Sequence, residues 1–196
     1  ICGYAQGIEQ GIFPQPQQAA HTILEESDRL TRLVSSLLTL SRIESGQHTP
    51  TLAPLCVGEC MEDCLDRAAG AALQKGVHLR YDAPEKWLFA LGDEDLFAQV
   101  AENLLSNAIR YAHETVEVTC TADADKIRIT VADDGEGLDE KDLPRIFERC
   151  YKGKGGQFGI GLAIARSAAE QMHGSLSAAN RPGGGACFTW TLSKSN

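Results

Sequence analysis

The stretch from Tyr151 to Ile164 reads YKGKGGQFGIGLAI and places five glycines and two lysines within residues 152–161. Glycine lets backbone N–H groups approach a ligand closely, and lysine supplies positive charge, so the composition suits a bound phosphate. A P-loop needs Gly-x-x-x-x-Gly-Lys followed by Ser or Thr, and that spacing does not occur. A dinucleotide fingerprint needs a third glycine, but Gly159-Ile160-Gly161 is followed by Ala163 and Ile164. Taken alone, the stretch fits a flexible surface loop equally well. Arg145, Arg149, Lys152 and Lys154 lie on or just before it. A solvated face explains one or two such charges; four beside a glycine loop in an acidic protein point to polyphosphate.

Upstream, ITVADDGEGL runs a strand into Asp133 and then forces a turn. Gly135 and Gly137 free the backbone where a flat ligand could lie close, and Asp133 could accept a hydrogen bond from an amine. A tight Asp-Gly turn is the plain structural alternative. A further constellation sits on the helix DLFAQVAENLLSNAIRYAH. At ~100° per residue, Phe97, Val100, Ala101, Ala108 and Tyr111 cluster around Leu104 as a buried stripe. Asn103 and Asn107 fall about 100° and 60° to one side, with Arg110 beyond them. Such residues are either an ordinary polar border or a rail for a cation and phosphates, since an amide oxygen suits Mg²⁺.

The elements that must position these groups are legible in outline. Residues 1–13 carry Ile1, Tyr4, Ile8 and Ile12 at helical spacing, and Pro14 and Pro16 break the pattern. Over 18–45, Ile23, Leu30 and Leu37 recur every seven residues, with Leu33, Leu40, Val34 and Leu38 widening the face. That helix would be about 42 Å long, with Gly46 as its cap. The shorter first helix covers only half of it, so a second chain on the rest and an upstream continuation of the first helix are both expected. HTPTLAP at 48–54 reads as a linker. Beyond it a helix fits 56–75, VHLRYDA and KWLFALG read as short strands, and Asp93–Ala112 as a strong helix. TVEVTCTA and KIRITVAD alternate with period two as a hairpin. A short helix is expected near 140–146 and another over 160–172. GSLSAAN and GACFTWTL make a closing hairpin. The expected fold is α+β: a helical hairpin, then an α/β sandwich with one sheet and helices on a single face.

Bulk composition narrows the function classes. The chain has 196 residues, 43% of them hydrophobic, and a net charge of −9, which argues against nucleic acid or an anionic membrane as main partner. No apolar run approaches the ~18 residues needed to cross a bilayer. Nothing at the start reads as a secretory signal, and seven cysteines, an odd count, then fit a reducing compartment. Cys56, Cys60 and Cys64 share one helix face by spacing. CxxxCxxxC matches no structural zinc pattern, so buried core cysteine is the better reading. The chain begins at Ile1 rather than Met, which reads as a fragment.

Together these motifs resemble the cytoplasmic part of a sensor histidine kinase of a two-component system. ENLLSNAIRYA is similar to that family's asparagine box, DDGEGL to its first glycine box and IFERCYKG to its phenylalanine box. GIGLAIARSAAEQMHGSLS resembles its second glycine box and the elements after it, and RLVSSLLTLSRIESG the end of its second dimerisation helix. The resemblance implies a truncated dimerisation hairpin over 1–46, a linker over 47–54 and a Bergerat-type ATP-binding domain over 55–196. It also implies ATP and Mg²⁺ as ligands, homodimerisation through the 1–46 helices and a response-regulator partner. A cytoplasmic location with the parent protein anchored in the cell membrane belongs to the same inference. By family role, Asn107 is the Mg²⁺ ligand and Asn103 supports it. Arg110, Arg149 and Lys152 meet the phosphates. Asp133 takes the adenine amine, Gly135 and Gly137 shape its pocket, and Tyr111 and Tyr151 wall the base. Gly159, Gly161 and Leu162 present the start of the 160–172 helix to the phosphates.

Several positions depart from the family pattern. Asp134 stands where asparagine is usual, Gln157-Phe158 where small residues are, Ala186 where threonine often is, and Cys150 where phenylalanine is common. The phosphoacceptor box is absent: His21, His48, His78, His113 and His173 all lack its context. The expected function is therefore the ATP-binding catalytic portion of a protein-histidine kinase, a transferase that does not phosphorylate itself in this form. The alternative is a dimeric nucleotide-sensing module without phosphoryl transfer. An ATP-hydrolysing relative would carry a glutamate at position 103, where this chain has asparagine.

Overall fold

Apolar residues at helical spacing before residue 45 form two helices: α1 spans Cys2–Glu9 and α2 spans Pro16–Glu44. Pro16 opens α2, where a missing N–H costs nothing. The computed structural model describes residues 2–44, 49–82, 88–149, 151 and 159–195. They fall into two units, Ile1–Ser41 and Arg42–Asn196. In the first, the turn after α1 is closed by Ile12 N–H to the Gly7 carbonyl at 2.9 Å. Tyr4 and Phe13 stack at 5.5 Å. Leu24, Leu30, Val34, Leu37 and Leu38 of α2 remain 45–63% exposed. The expected Gly46 cap lies outside the described residues.

The second unit is built on a five-stranded sheet of order β2-β4-β5-β7-β6. Its strands are β2 (His78–Asp82), β4 (Thr115–Ala122), β5 (Lys126–Asp133), β6 (Ser175–Asn180) and β7 (Ala186–Ser193). β2 runs parallel to β4 and the other pairings are antiparallel. Strand alternation sends Val116, Val118, Ile127, Ile129, Val131, Phe188, Trp190 and Leu192 into the core. The cross-strand row Thr119, Thr130 and Thr189 lies on the opposite face. Helices α3 (Val57–Lys75), α4 (Glu94–Tyr111) and α5 (Gly161–Gln171) cover the apolar face. Phe97 of α4 meets Trp190 at 4.7 Å between ring centroids.

Four expectations need correction. The sheet is accompanied by a separate two-stranded ribbon in which β1 (Ala53–Cys56) pairs with β3 (Phe89–Gly92). The end of the expected 47–54 linker is thus strand, because a partner distant in sequence supplies its hydrogen bonds. Cys56 belongs to β1 and not to the helix face of Cys60 and Cys64. Residues 140–147 form consecutive turns and no helix. Pro144 lacks an N–H and disfavours helical backbone at Leu143, leaving only short closures such as Arg145 N–H to the Asp142 carbonyl at 2.8 Å. Finally, Tyr111 is 36% exposed and lies outside the buried stripe, which instead takes in Leu105 and Ile109.

Both ends of α4 are tied down. Asp93 caps its start: Oδ1 accepts the Asp95 and Leu96 N–H groups, each at 3.1 Å. Asp93 Oδ2 accepts the Thr51 N–H at 2.9 Å, fastening the entering chain to the same cap. At the far end, Lys75 Nζ donates to the carbonyls of Ile109 at 2.7 Å, Ala112 at 3.0 Å and Arg110. These are acceptors that a helix C-terminus leaves open. Among the described residues no group of His, Cys, Asp and Glu is placed to hold a metal. Cys64 is buried, and burial pushes the half-buried Cys60 thiol up to about 11.

Candidate nucleotide-binding site

β5 ends at Asp133, a carboxylate only 1% exposed. Its Oδ1 accepts the Gly135 N–H at 2.9 Å and the Ala186 N–H at 3.2 Å. Its Oδ2 is buried and without a hydrogen-bond partner. A buried acceptor left open is costly unless a ligand donor fills it. The loop after it is packed backbone to backbone. A Cβ at Gly135 would run into the Tyr111 carbonyl, and one at Gly137, which sits at φ 83°, would lie 2.9 Å from Asn180 Oδ1. Only glycine fits both places. Asp134 turns to the segment after α4, where its carboxylate accepts the N–H groups of His113 at 2.8 Å and Thr115 at 3.0 Å, and also that of Glu114. Asp134, where the family usually has asparagine, therefore carries a structural charge.

α4 presents the polar border that its periodicity predicts. Asn103 and Asn107 are half-buried and Arg110 is exposed. Asn103 Nδ2 donates to the Gln99 carbonyl at 2.7 Å, and its Oδ1 would be 2.7 Å from a Cβ at Gly161. The glycine that opens α5 thus lets that helix close on Asn103. Gly159 sits at φ 66°, and Leu162 is half-buried in the first turn of α5. The Arg110 guanidinium lies 5.6 Å from the centre of the Tyr111 ring.

The structure therefore gathers Tyr111, Asp133, Gly135 and Ala186 at the strand end, and Asn103 with Gly161 at the helix pair. Tyr151 is engaged within its own segment: its hydroxyl donates to Asp142 at 2.6 Å and Arg145 lies 4.6 Å from its ring centre. Arg149 is exposed. Lys152, Lys154, Cys150, Gln157 and Phe158 lie outside the described residues.

The family model of the histidine kinase-, DNA gyrase B-, and HSP90-like ATPases matches residues 92–196, and that of the His kinase A (phospho-acceptor) domain matches residues 1–46. The chain belongs to the sensor histidine kinases. It is 32% identical over 181 residues to the sensor-like histidine kinase SenX3 of Mycobacterium tuberculosis, covering 88% of this chain and 44% of that protein. It is 30% identical over 193 residues to the sensor histidine kinase RppB of Synechocystis, covering 94% of this chain and 42% of that one. It thus spans less than half the length of these curated relatives. Full-length ShkA in complex with AMPPNP superposes with a TM-score of 0.80 at 26% identity, over 94% of this chain and 40% of ShkA. The Acinetobacter baumannii histidine kinase AdeS does so with a TM-score of 0.78 at 24% identity, over 99% and 93% of the two chains, a likeness of fold.

Three residues around the site carry almost no signal in the sequence. Lys75, Asn180 and Arg181 act through backbone groups far away in the chain, as the Lys75–Ala112 and Asn180–Leu138 bonds show. No local pattern marks such contacts. The only signal is the turn chemistry of Asn-Arg-Pro-Gly-Gly.

Proposed function

We propose that this chain binds Mg²⁺ and ATP in its second unit and serves as the catalytic part of a protein-histidine kinase. The γ-phosphate passes to a histidine on a dimerisation helix, and a response-regulator aspartate then takes it. The observation that carries this reading is the buried, unpartnered Oδ2 of Asp133. It can accept the adenine 6-amino group while Oδ1 stays bonded to Gly135 and Ala186. Gly135 and Gly137 floor the base and Tyr111 walls one side; Tyr151 would reach the base only on leaving Asp142.

The donor set suits magnesium held mainly by phosphates. The Asn107 amide oxygen, a hard neutral donor, would hold the cation. Bound there, the cation would supply charge neutralisation for the phosphates. Asn103 supports the site by closing α5 against α4. Arg110, Arg149 and Lys152 supply positive charge, and the amides at Gly159, Gly161 and Leu162 meet the phosphates at a helix start. The exposed apolar stripe of α2 is the homodimer face. Among the described residues no helix is long and apolar enough to cross a membrane. Anchorage of the longer protein in the cell membrane therefore rests on the family reading alone. The net charge of −9 makes nucleic acid a poor partner.

Guanine presents a carbonyl where adenine has its amine, so Asp133 would face an acceptor, at a cost of ~1–3 kcal/mol. Calorimetric affinities of the chain for ATP and GTP test this, and ATP should bind about 5- to 150-fold more tightly. Comparable affinities would remove Asp133 from its role. With γ-labelled ATP, none of the five histidines should acquire acid-labile label. His21, the one that lies on α2, is exposed and 3.3 Å from Glu25.

A further inference from the structure

The loop Asp133–Leu138 is gripped at both ends by two adjacent residues that the reading above leaves without a role. Asn180 ends β6 and Arg181 begins the turn after it. Arg181 Nη1 donates to the Asp133 carbonyl at 3.4 Å, and Nη2 donates to Glu117 Oε2 at 2.8 Å. Asn180 bonds Leu138 in both directions: Oδ1 accepts its N–H at 2.7 Å and Nδ2 donates to its carbonyl at 2.8 Å. The surrounding backbone is shaped to this grip. A Cβ at Gly185 would strike the Asp133 carbonyl, and Gly183, Gly184 and Gly185 all sit at positive φ. Arg181 itself closes that turn, its N–H donating to the Gly185 carbonyl at 2.9 Å.

We propose that Asn180 and Arg181 are positioning residues for nucleobase selection. They fix the first and last residues of the loop that carries the Asp133 carboxylate, without touching the nucleotide. The peptide plane after Asp133 is rigid, so holding its carbonyl also sets where the chain turns to bring the Gly135 N–H back to Oδ1. Holding Leu138 sets the other end of the glycine floor. A hydrogen bond that discriminates between bases needs its acceptor placed within about 0.5 Å. The Arg181–Glu117 pair is 32% and 37% exposed, so screening makes it a weak source of stability. Its value is geometric: the planar fork reaches two acceptors at once, which a lysine ammonium on a flexible stem does less well.

The inference rests on the adenine reading of Asp133, and the experiment separates the two. Arg181→Met, Asn180→Ala and Arg181→Lys are compared with the unsubstituted chain for binding of ATP, GTP and inorganic tripolyphosphate in the presence of Mg²⁺. Arg181→Met and Asn180→Ala should each weaken ATP about tenfold, bring the ATP-to-GTP ratio toward one and leave tripolyphosphate unchanged. Arg181→Lys should fall between. An unchanged ratio in the folded variants overturns the proposal, as does a parallel fall for tripolyphosphate or a lowered melting temperature with the ratio intact. Should Arg181→Met not fold, Arg181→Lys and the near-isosteric Asn180→Asp carry the same comparison, and an unchanged ratio in them overturns it equally. Equal affinity of the unsubstituted chain for ATP and GTP overturns the Asp133 reading instead, whatever the variants do.

Discussion

Asp133 and Asp134 are chain neighbours whose carboxylates turn to different partners. Asp133 keeps one buried oxygen open, while Asp134 engages both of its oxygens with backbone amides after α4. Alternation at a strand end sends adjacent side chains to opposite sides, so one carboxylate can serve a ligand and the next the fold.

Asp134 should therefore matter for stability and its effect should depend on pH. Partial burial pushes its carboxyl up, but the amides of Glu114, Thr115 and His113 outweigh this and hold it below its ordinary value near 3.8. A depressed carboxylate contributes stability above the unfolded value and loses it as pH falls through the folded one. Asp134→Ala should cost about 1–2 kcal/mol at pH 7, kept modest because the bonds face solvent. Urea denaturation should show that difference shrinking below about pH 3.8; a difference independent of pH would mean the charge is not involved.

Asn107→Ala should abolish the Mg²⁺ dependence of nucleotide binding while the chain stays folded. The side chain is only half-buried at the edge of the α4 stripe, so little packing is lost. Titrations with and without Mg²⁺ check this. A full Mg²⁺ effect in the variant would place the cation elsewhere.

Two glycine substitutions should have opposite signs. Gly70 lies inside α3, and a methyl group added there would meet nothing within 4 Å, so Gly70→Ala should stabilise by about 0.5–1 kcal/mol. Gly135→Ala drives a methyl into the Tyr111 carbonyl and should destabilise by about 1–3 kcal/mol, with loss of ATP binding. Denaturant midpoints of the two variants decide the matter.

Thiol reactivity should follow burial. Burial is the main cause pushing Cys60 and Cys120 up to about 11, so roughly one molecule in a thousand carries either thiolate at pH 8. Among the cysteines of the described residues, Cys2 is exposed and should be alkylated first. Mass spectrometry of a timed iodoacetamide reaction resolves the order, and labelling of Cys60 as fast as that of Cys2 would contradict it.

What can be read in advance is what local pattern determines. The 3.6-residue period announces α4, and strict alternation announces β4 and β5. β1 is hidden because Pro54 looks like a linker residue and its pairing with Leu91 comes from far along the chain. The turns at 140–147 mislead because charged and apolar residues there mimic a helical face, whereas Pro144 decides against one. In the site, Asp133 and its glycines are legible from turn chemistry. Asn180 and Arg181 are not, since their side chains act on backbone 42 and 48 positions away.

The bond from Thr51 to Asp93 has a mechanical consequence. α4 is a rod about 21 Å long from its cap to Asn107. The segment at Thr51 is fastened to the near end of that rod by the Asp93 carboxylate, and the far end bears Asn107 and Arg110. A pull on the chain at Thr51 would thus load the helix that bears the proposed phosphate contacts, with one carboxylate as the coupling pin.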